Sequence, residues 1–338
     1  MMHIRIASLF SGIGGFEKGI LQANPNAEIV FSSEIDKYAR QIYEKNYGVE
    51  PSGDITKINA TSIPYHDIMC GGFPCQAFSI AGKRRGFEDT RGTLFFEIMR
   101  IAEVKRPKLL FLENVRGLLS HDEGRSFLSI LRSMDDLGYD AEWQVFNSKN
   151  HGVPQNRERV FIIGHLRGAG TRQIFPITES NGIPIQEHTN VYCLDANYYK
   201  GPARQARTMI NQLNNPVHSN NRVYDCDGLS PAINCMEGGN RQQFVAIELR
   251  SDEGIRRFND DCCGALRSNS TNCGDKAITD GQSIRRLTPL ECERLQGFPD
   301  GWTEGISDTQ RYKCLGNAVT VNVIEFIAKH IFKMLGGV

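Results

Sequence analysis

Residues 1 to about 165 alternate short apolar runs with stretches of helical periodicity. The apolar runs predict strands at Ile4–Leu9, Glu28–Ser33, Asp67–Cys70, Lys108–Leu112, Glu142–Phe146 and Val160–Ile163. The polar–apolar spacing between them predicts helices near Phe16–Ala23, Asp36–Tyr47, Thr93–Ala102 and Gly124–Leu137. Regular alternation of this kind argues for an α/β fold with a doubly wound, mostly parallel sheet. From about Gly168 to Ser283 the periodicity fades, and Asn, Gly, Ser and Cys become frequent. Patterning returns at Leu287-Thr288-Pro289-Leu290-Glu291, where Thr288 suits an N-cap and Pro289 the first helical position. An amphipathic last helix is predicted over about Ala318–Met334.

In sheets of this class, ligands sit beyond the carboxyl ends of the strands. The first predicted strand is followed by Phe10-Ser11-Gly12-Ile13-Gly14-Gly15-Phe16, the second by Glu34. The third is followed by Gly71-Gly72-Phe73-Pro74-Cys75-Gln76, the fourth by Glu113-Asn114. Glycines, carboxylates and a thiol therefore converge on one rim. Gly12 and Gly14 can take positive φ and let a ligand approach the backbone. The pattern is not G-x-G-x-x-G and lacks a following Lys-Ser/Thr, which favours a nucleoside-like ligand over a phosphate-rich one. Glu34 can accept from ribose hydroxyls, and Asp54 from an exocyclic amine. The competing reading is a tight structural turn with two helix-capping acids.

Cys75 lies in a Pro-flanked loop, with Lys83-Arg84-Arg85 following to lower a thiol's pKa from about 8.5. An acid such as Glu113, ending an apolar strand, must find a partner. A thiol facing a carboxylic acid fits covalent attack on an electron-poor ring, with the acid protonating a ring nitrogen.

Composition sets limits on these readings. With 40% hydrophobic and 23% charged residues, the 338-residue chain is not broadly disordered. No window approaches ~20 consecutive apolar residues, so no membrane span is expected. Ten cysteines without C-x-x-C pairing disfavour a disulfide scaffold or a zinc site, and reduced thiols in the cytoplasm are expected. Thirty-nine Lys+Arg against 39 Asp+Glu exclude a nonspecific polycation but not a nucleic-acid partner.

Several motifs, in order, resemble those of the DNA (cytosine-5)-methyltransferases of bacterial and phage restriction-modification type. They are Phe10–Phe16, Pro74-Cys75-Gln76, Glu113-Asn114-Val115, Gln155-Asn156-Arg157-Glu158-Arg159, Arg286-Leu287-Thr288-Pro289-Leu290-Glu291-Cys292 and Gly316-Asn317-Ala318-Val319. The resemblance covers about residues 4–165 and 285–330. It implies S-adenosylmethionine as methyl donor, held by Phe10, Gly12, Gly14, Glu34, Ile35, Asp54, Pro74, Leu94, Asn317 and Val319. It implies double-stranded DNA as substrate, with the target cytosine flipped out of the stack. Cys75 would attack C6, Glu113 would protonate N3, and Arg159 and, more loosely, Arg157 would contact the base and the loop.

The resemblance also implies domain limits. Residues 1–167 would form the catalytic and cofactor-binding domain, and 168–284 a smaller, irregular, β-rich target-recognition domain. Residues 285–313 would be a hinge region, and 314–338 a segment returning to the catalytic domain. The stretch 78–90 corresponds to a mobile catalytic loop, and Asn240-Arg241-Gln242-Gln243 is a candidate base reader. Residues 168–284 hold eleven Lys/Arg against thirteen Asp/Glu, so no bulk basic patch is expected there. Cys262, Cys263 and Cys273 are expected to be buried free thiols. A cognate restriction endonuclease acting on the same site is an expected partner, and a monomer is expected. The rival readings are a tRNA methyltransferase of the same chemistry, a non-catalytic DNA-binding module, and a nicotinamide-dependent oxidoreductase of the same fold class.

Overall fold

The computed structural model describes residues 3–74, 94–177 and 287–336, together with strands at 223–224, 230–231, 244–248, 278–279 and 282–286. Cys75, the 78–90 stretch, Asn240–Gln243, Cys262, Cys263 and Cys273 lie outside the described residues.

The first half builds β1 (Arg5–Leu9), α1 (Gly15–Ala23), β2 (Glu28–Ser33), α2 (Lys37–Tyr47) and β3 (Ile68–Gly72). It continues with α3 (Leu94–Lys105), β4 (Leu109–Val115), α4 (Arg125–Asp136), β5 (Tyr139–Asn147), β6 (Gln155–Asn156) and β7 (Glu158–Leu166). Six of these strands form one sheet in the order β2-β1-β3-β4-β7-β5. Pairing is parallel from β2 to β4, while β7 runs antiparallel to both β4 and β5. The mixed α/β, mostly parallel architecture follows the sequence pattern, with β7 as the one reversed strand.

A strand in such a sheet is buried on both faces and therefore reads as a continuous apolar run. Along β4, Leu110 and Leu112 pack on one face with α3 and α4 residues such as Phe95, Ile98 and Ile130. Leu109 and Phe111 turn to the other face, against Phe16 and Ile20 of α1 and the chain's last helix. That last helix, α7, follows β8 (Val223–Tyr224), β9 (Ser230–Pro231), β10 (Phe244–Glu248), β11 (Ile278–Thr279), β12 (Gln282–Arg286), α5 (Pro289–Leu295) and α6 (Asp308–Asn317). β8, β10, β11 and β12 make a second sheet in the order β11-β12-β10-β8. β9 pairs in parallel with β6. Among the described residues no helix is long and apolar enough to cross a membrane.

Capping chemistry fixes several helix starts. Asp36 accepts from the N–H groups of Tyr38 and Ala39 at the head of α2. Thr288 and Glu291 form a reciprocal capping box at α5, with Pro289 in the first turn. The last helix begins later than its periodicity suggests, spanning Val321–Met334 with Thr320 as N-cap. Ala318 is extended instead, at φ −67° and ψ 153°, and ends the preceding helix α6. The short α6, with only Tyr312, Cys314, Leu315 and Gly316 buried, carries too weak a stripe to be read from sequence.

Two features of this core are directly testable. α1 and α7 meet at Gly19, where an added Cβ would lie 2.6 Å from Ile324 Cβ and 2.8 Å from the Val321 carbonyl oxygen. Gly19→Ala gains about 1 kcal/mol of helix propensity but overpacks at a cost of about 1–3 kcal/mol. A lower denaturation midpoint is expected; an unchanged midpoint would show that the two helices separate freely.

Glu17 of α1 is fully buried, with Ser8 and Tyr43 beside its carboxyl. Burial raises its pKa from 4.5 to about 7. Between those values the folded chain keeps a proton that the unfolded chain releases, so stability falls as pH rises through this window. The fall is on the order of 3 kcal/mol. Glu17→Gln should flatten that part of the stability–pH curve, measured by denaturant melts from pH 4.5 to 8; a slope as steep as the parent's would refute the assignment.

Candidate active site

Behind β1 the backbone turns through three left-handed residues, Phe10 and Gly12 at φ 55° and Gly14 at φ 86°. At Gly14 no side chain fits, because a Cβ would lie 2.2 Å from the Tyr47 ring. The Tyr47 hydroxyl instead donates to the Gly14 carbonyl at 2.7 Å. The Trp302 indole N–H donates to the Ile13 carbonyl at 2.9 Å, tying the turn to the C-terminal half of the chain. Glu34 accepts from the Gly12 N–H through one oxygen and from the Asp36 N–H through the other, both at 2.8 Å. Glu34 thereby joins the glycine turn to the head of α2. Beside it, Ile35 is 70% exposed and offers an apolar surface at the same rim. Asp54 caps a short helical turn, and the N–H and hydroxyl of Thr56 hold its carboxyl below the usual range. Phe10 and Leu94 pack with buried Phe73 in one apolar cluster, while Pro74 is exposed.

Glu113 is buried near the end of β4, opposite Gly72 of β3 and Phe161 of β7. Its Oε1 lies 3.0 Å from Arg159 Nε. Burial pushes the carboxyl above the ordinary range, against the pull of the Arg159 and Arg157 charges. The next residue, Asn114, donates from Nδ2 to the Phe73 carbonyl at 2.9 Å. That contact fixes the chain two residues ahead of Cys75. Arg157 is 3% exposed and donates to the carbonyls of Gly316 and Ala318 at 3.2 and 2.8 Å. Its guanidinium thus joins the sheet to the C-terminal segment, whereas Arg159 faces Glu113.

The C-terminal segment reaches the same rim. A Cβ on Gly72 would lie 2.9 Å from Glu113 Oε2 and 3.9 Å from Val319 Cγ1. A Cβ on Gly15 would lie 2.8 Å from Val319 Cγ2. Val319 therefore sits between the glycine turn and the end of β3, with Asn317 exposed beside it. Tyr47, Trp302 and the side-chain role of Asn114 were not singled out by sequence. Trp302, one of two tryptophans in the chain, offered a signal in its rarity but not in its spacing.

The C-5 cytosine-specific DNA methylase family matches residues 4–333. The chain is 39% identical over 336 residues to the type II methyltransferase M1.ScrFI of Lactococcus lactis subsp. cremoris, covering 98% of this chain and 78% of that protein. It is 36% identical over 332 residues to the type II methyltransferase M.HhaI of Haemophilus parahaemolyticus, covering 97% and 94%. Among solved structures, S. pombe Dnmt2 methyltransferase aligns with TM-score 0.65 at 19% identity over 98% of this chain and 99% of that one. The Entamoeba histolytica methyltransferase EhMeth aligns with TM-score 0.60 at 18% identity over 99% of each. At such low identities the likeness speaks for the fold, while the family match extends through both the glycine turn and the Val319 segment that closes on it. This chain belongs to the C-5 cytosine-specific DNA methylase family, enzymes that methylate cytosine at C5 in DNA.

Proposed function

We propose that the chain transfers a methyl group from S-adenosylmethionine to C5 of a flipped-out cytosine, through a covalent Cys75 adduct at C6. The observation that carries this reading is Glu113: a buried carboxyl, raised toward its neutral form, at the rim shared by the glycine turn and Val319. The donor fits the residues present. Gly12 has open space where a side chain would stand, and Glu34 and exposed Ile35 flank it with an acceptor and an apolar surface. Phe10, Gly12, Gly14, Glu34, Ile35, Asp54, Pro74, Leu94, Asn317 and Val319 would hold the donor. When bound, it supplies an electrophilic methyl group.

The chain's own groups do the rest. The Cys75 thiolate adds to C6 of the cytosine, and Glu113 gives its proton to N3. The electron pair released into the ring makes C5 nucleophilic toward the methyl group that a bound donor would supply, with the donor's thioether as the leaving group. Loss of the C5 proton to water restores the double bond and breaks the C6–S bond, freeing the Cys75 thiolate, and the N3 proton returns to Glu113. Arg159 orients Glu113 and faces the base, and Arg157 positions the segment carrying Asn317 and Val319.

In this reading residues 1–167 form the catalytic domain, 168–284 the target-recognition domain, 285–313 a hinge, and 314–338 the segment that returns. The likeness to type II methyltransferases supports a restriction-modification role. In the proposed reading the enzyme acts as a monomer in the cytoplasm, on double-stranded DNA that it protects against a cognate endonuclease.

Two measurements test the chemistry. Cys75→Ala should abolish methyl transfer and the denaturant-stable adduct that the parent forms on 5-fluorocytosine duplexes; transfer at the parent rate would refute the covalent step. Glu113→Gln should lower kcat/KM by about 10²- to 10⁴-fold, the usual worth of a positioned acid. Donor affinity should hardly change. Methylation assays on duplex DNA and on tRNA, run side by side, decide the substrate, and transfer to tRNA alone would overturn the DNA reading.

A further inference from the structure

The C-terminus of α6 raises an accounting problem. The last four carbonyls of a helix have no intrahelical partner, and buried ones must find donors elsewhere. α6 ends at Asn317, and the chain then runs extended through Ala318 before α7 begins. Leu315, Gly316 and Ala318 are all buried there. Arg157 takes the carbonyls of Gly316 and Ala318. The Leu315 carbonyl is taken by another side chain, that of Gln296.

Gln296 is fully buried, in the turn that follows α5. Its Nε2 donates to the Leu315 carbonyl at 2.7 Å and to the Ala318 carbonyl at 3.3 Å. Its Oε1 accepts from the Thr320 hydroxyl at 2.9 Å, which fixes the orientation of the amide. The Thr320 hydroxyl lies 2.8 Å from Ser148 Oγ. The Gln296 main-chain carbonyl accepts from the Val321 N–H at 2.9 Å. One residue thus holds the stretch from Leu315 to Val321 at four points. Within that stretch lie Asn317 and Val319, the latter packed between Gly15 and Gly72 at the rim.

We propose that Gln296 is a positioning residue for the methyl-donor site, setting Asn317 and Val319 against the glycine turn without touching the donor itself. The inference rests on the donor site proposed above. A side chain of similar length but without an amide, as in Gln296→Met, leaves the Leu315 carbonyl without its donor and loosens the extended stretch, which then keeps only Arg157 and the main-chain bond to Val321. The acid Glu113 on β4 is held separately, by Arg159 of β7 and by strand pairing. A positioning role therefore separates donor affinity from turnover, whereas a general packing role would lower both with the folded fraction.

The test is calorimetric titration of the full-length enzyme with S-adenosylhomocysteine, alongside steady-state kinetics at varied donor concentration. Gln296→Met should weaken the ligand and raise the donor KM by about tenfold, the scale of losing a hydrogen bond and stranding a buried carbonyl. kcat at saturating donor, and DNA affinity without donor, should change less than threefold. Thr320→Val frees the amide to rotate and should move donor affinity in the same direction by about threefold; if Gln296→Met fails to fold, this variant decides alone. Parent-like affinity in the folded variants, or a loss of donor affinity, kcat and DNA binding in common proportion, would overturn the proposal. A parent enzyme that does not bind S-adenosylhomocysteine would instead overturn the donor site on which it rests.

Discussion

Placing a carboxyl at the buried end of an apolar strand costs several kcal/mol unless a partner is supplied. Glu113 is in that position, and much of the rim is arranged around it. Arg159 reaches it from the antiparallel neighbour β7, a strand that the sheet adds beyond its parallel part. Burial and the arginine charges act on it in opposite directions, and burial prevails, leaving the acid easier to protonate than an exposed one. A group balanced in this way can surrender a proton to a ring nitrogen and recover it. The neighbouring Asn114 spends its side chain on the Phe73 carbonyl, so that the strand holding the acid also fixes the strand leading toward Cys75.

The second constraint is that the rim is assembled from both ends of the chain. The glycine turn alone is an irregular stretch in left-handed geometry, which holds its shape only if the surroundings impose it. Glu34 and Tyr47 hold it from the adjacent strand end and helix. Trp302 and Val319 hold it from the C-terminal segment. Lys313 adds an ion pair to Asp36, the N-cap of α2, at 3.0 Å. The same segment is tied to the sheet by buried polar contacts, notably Arg157 on two carbonyls and Gln155 on the Leu295 carbonyl. Both side chains donate to main-chain carbonyls inside the protein, a pairing that offsets the cost of burying them.

Packing distributes the work between two faces of the sheet. α3 and α4 cover one face, and α1 and α7 the other, so that the last helix completes the core begun by the first. A third apolar cluster joins Ile13, Ala39 and Ile42 to Leu295, Trp302 and Leu315, directly beneath the glycine turn. Three separate pieces of core therefore meet along the glycine turn, at Phe10, Phe16 and Ile13.

Much of this was written in the sequence. The alternation of apolar runs and amphipathic stretches fixed the order of elements, since a strand buried on both faces and a helix with one apolar stripe leave different periods. The glycine turn, Glu34 and Glu113 were legible because strand ends carry chemistry in such sheets. The reversal of β7, the separate helix α6 and the late start of α7 were not, because each depends on partners distant in the chain. Nothing in the local sequence of Ala318 says that its carbonyl will be met by Arg157 and Gln296. Nor does the spacing of Arg157 and Arg159, two residues apart on one short stretch, reveal that one clamps the backbone of the C-terminal segment while the other faces the acid. Local periodicity decides which residues turn inward; only the folded chain decides which groups they meet there, because each buried polar atom must find a donor or acceptor wherever the tertiary structure brings one within reach.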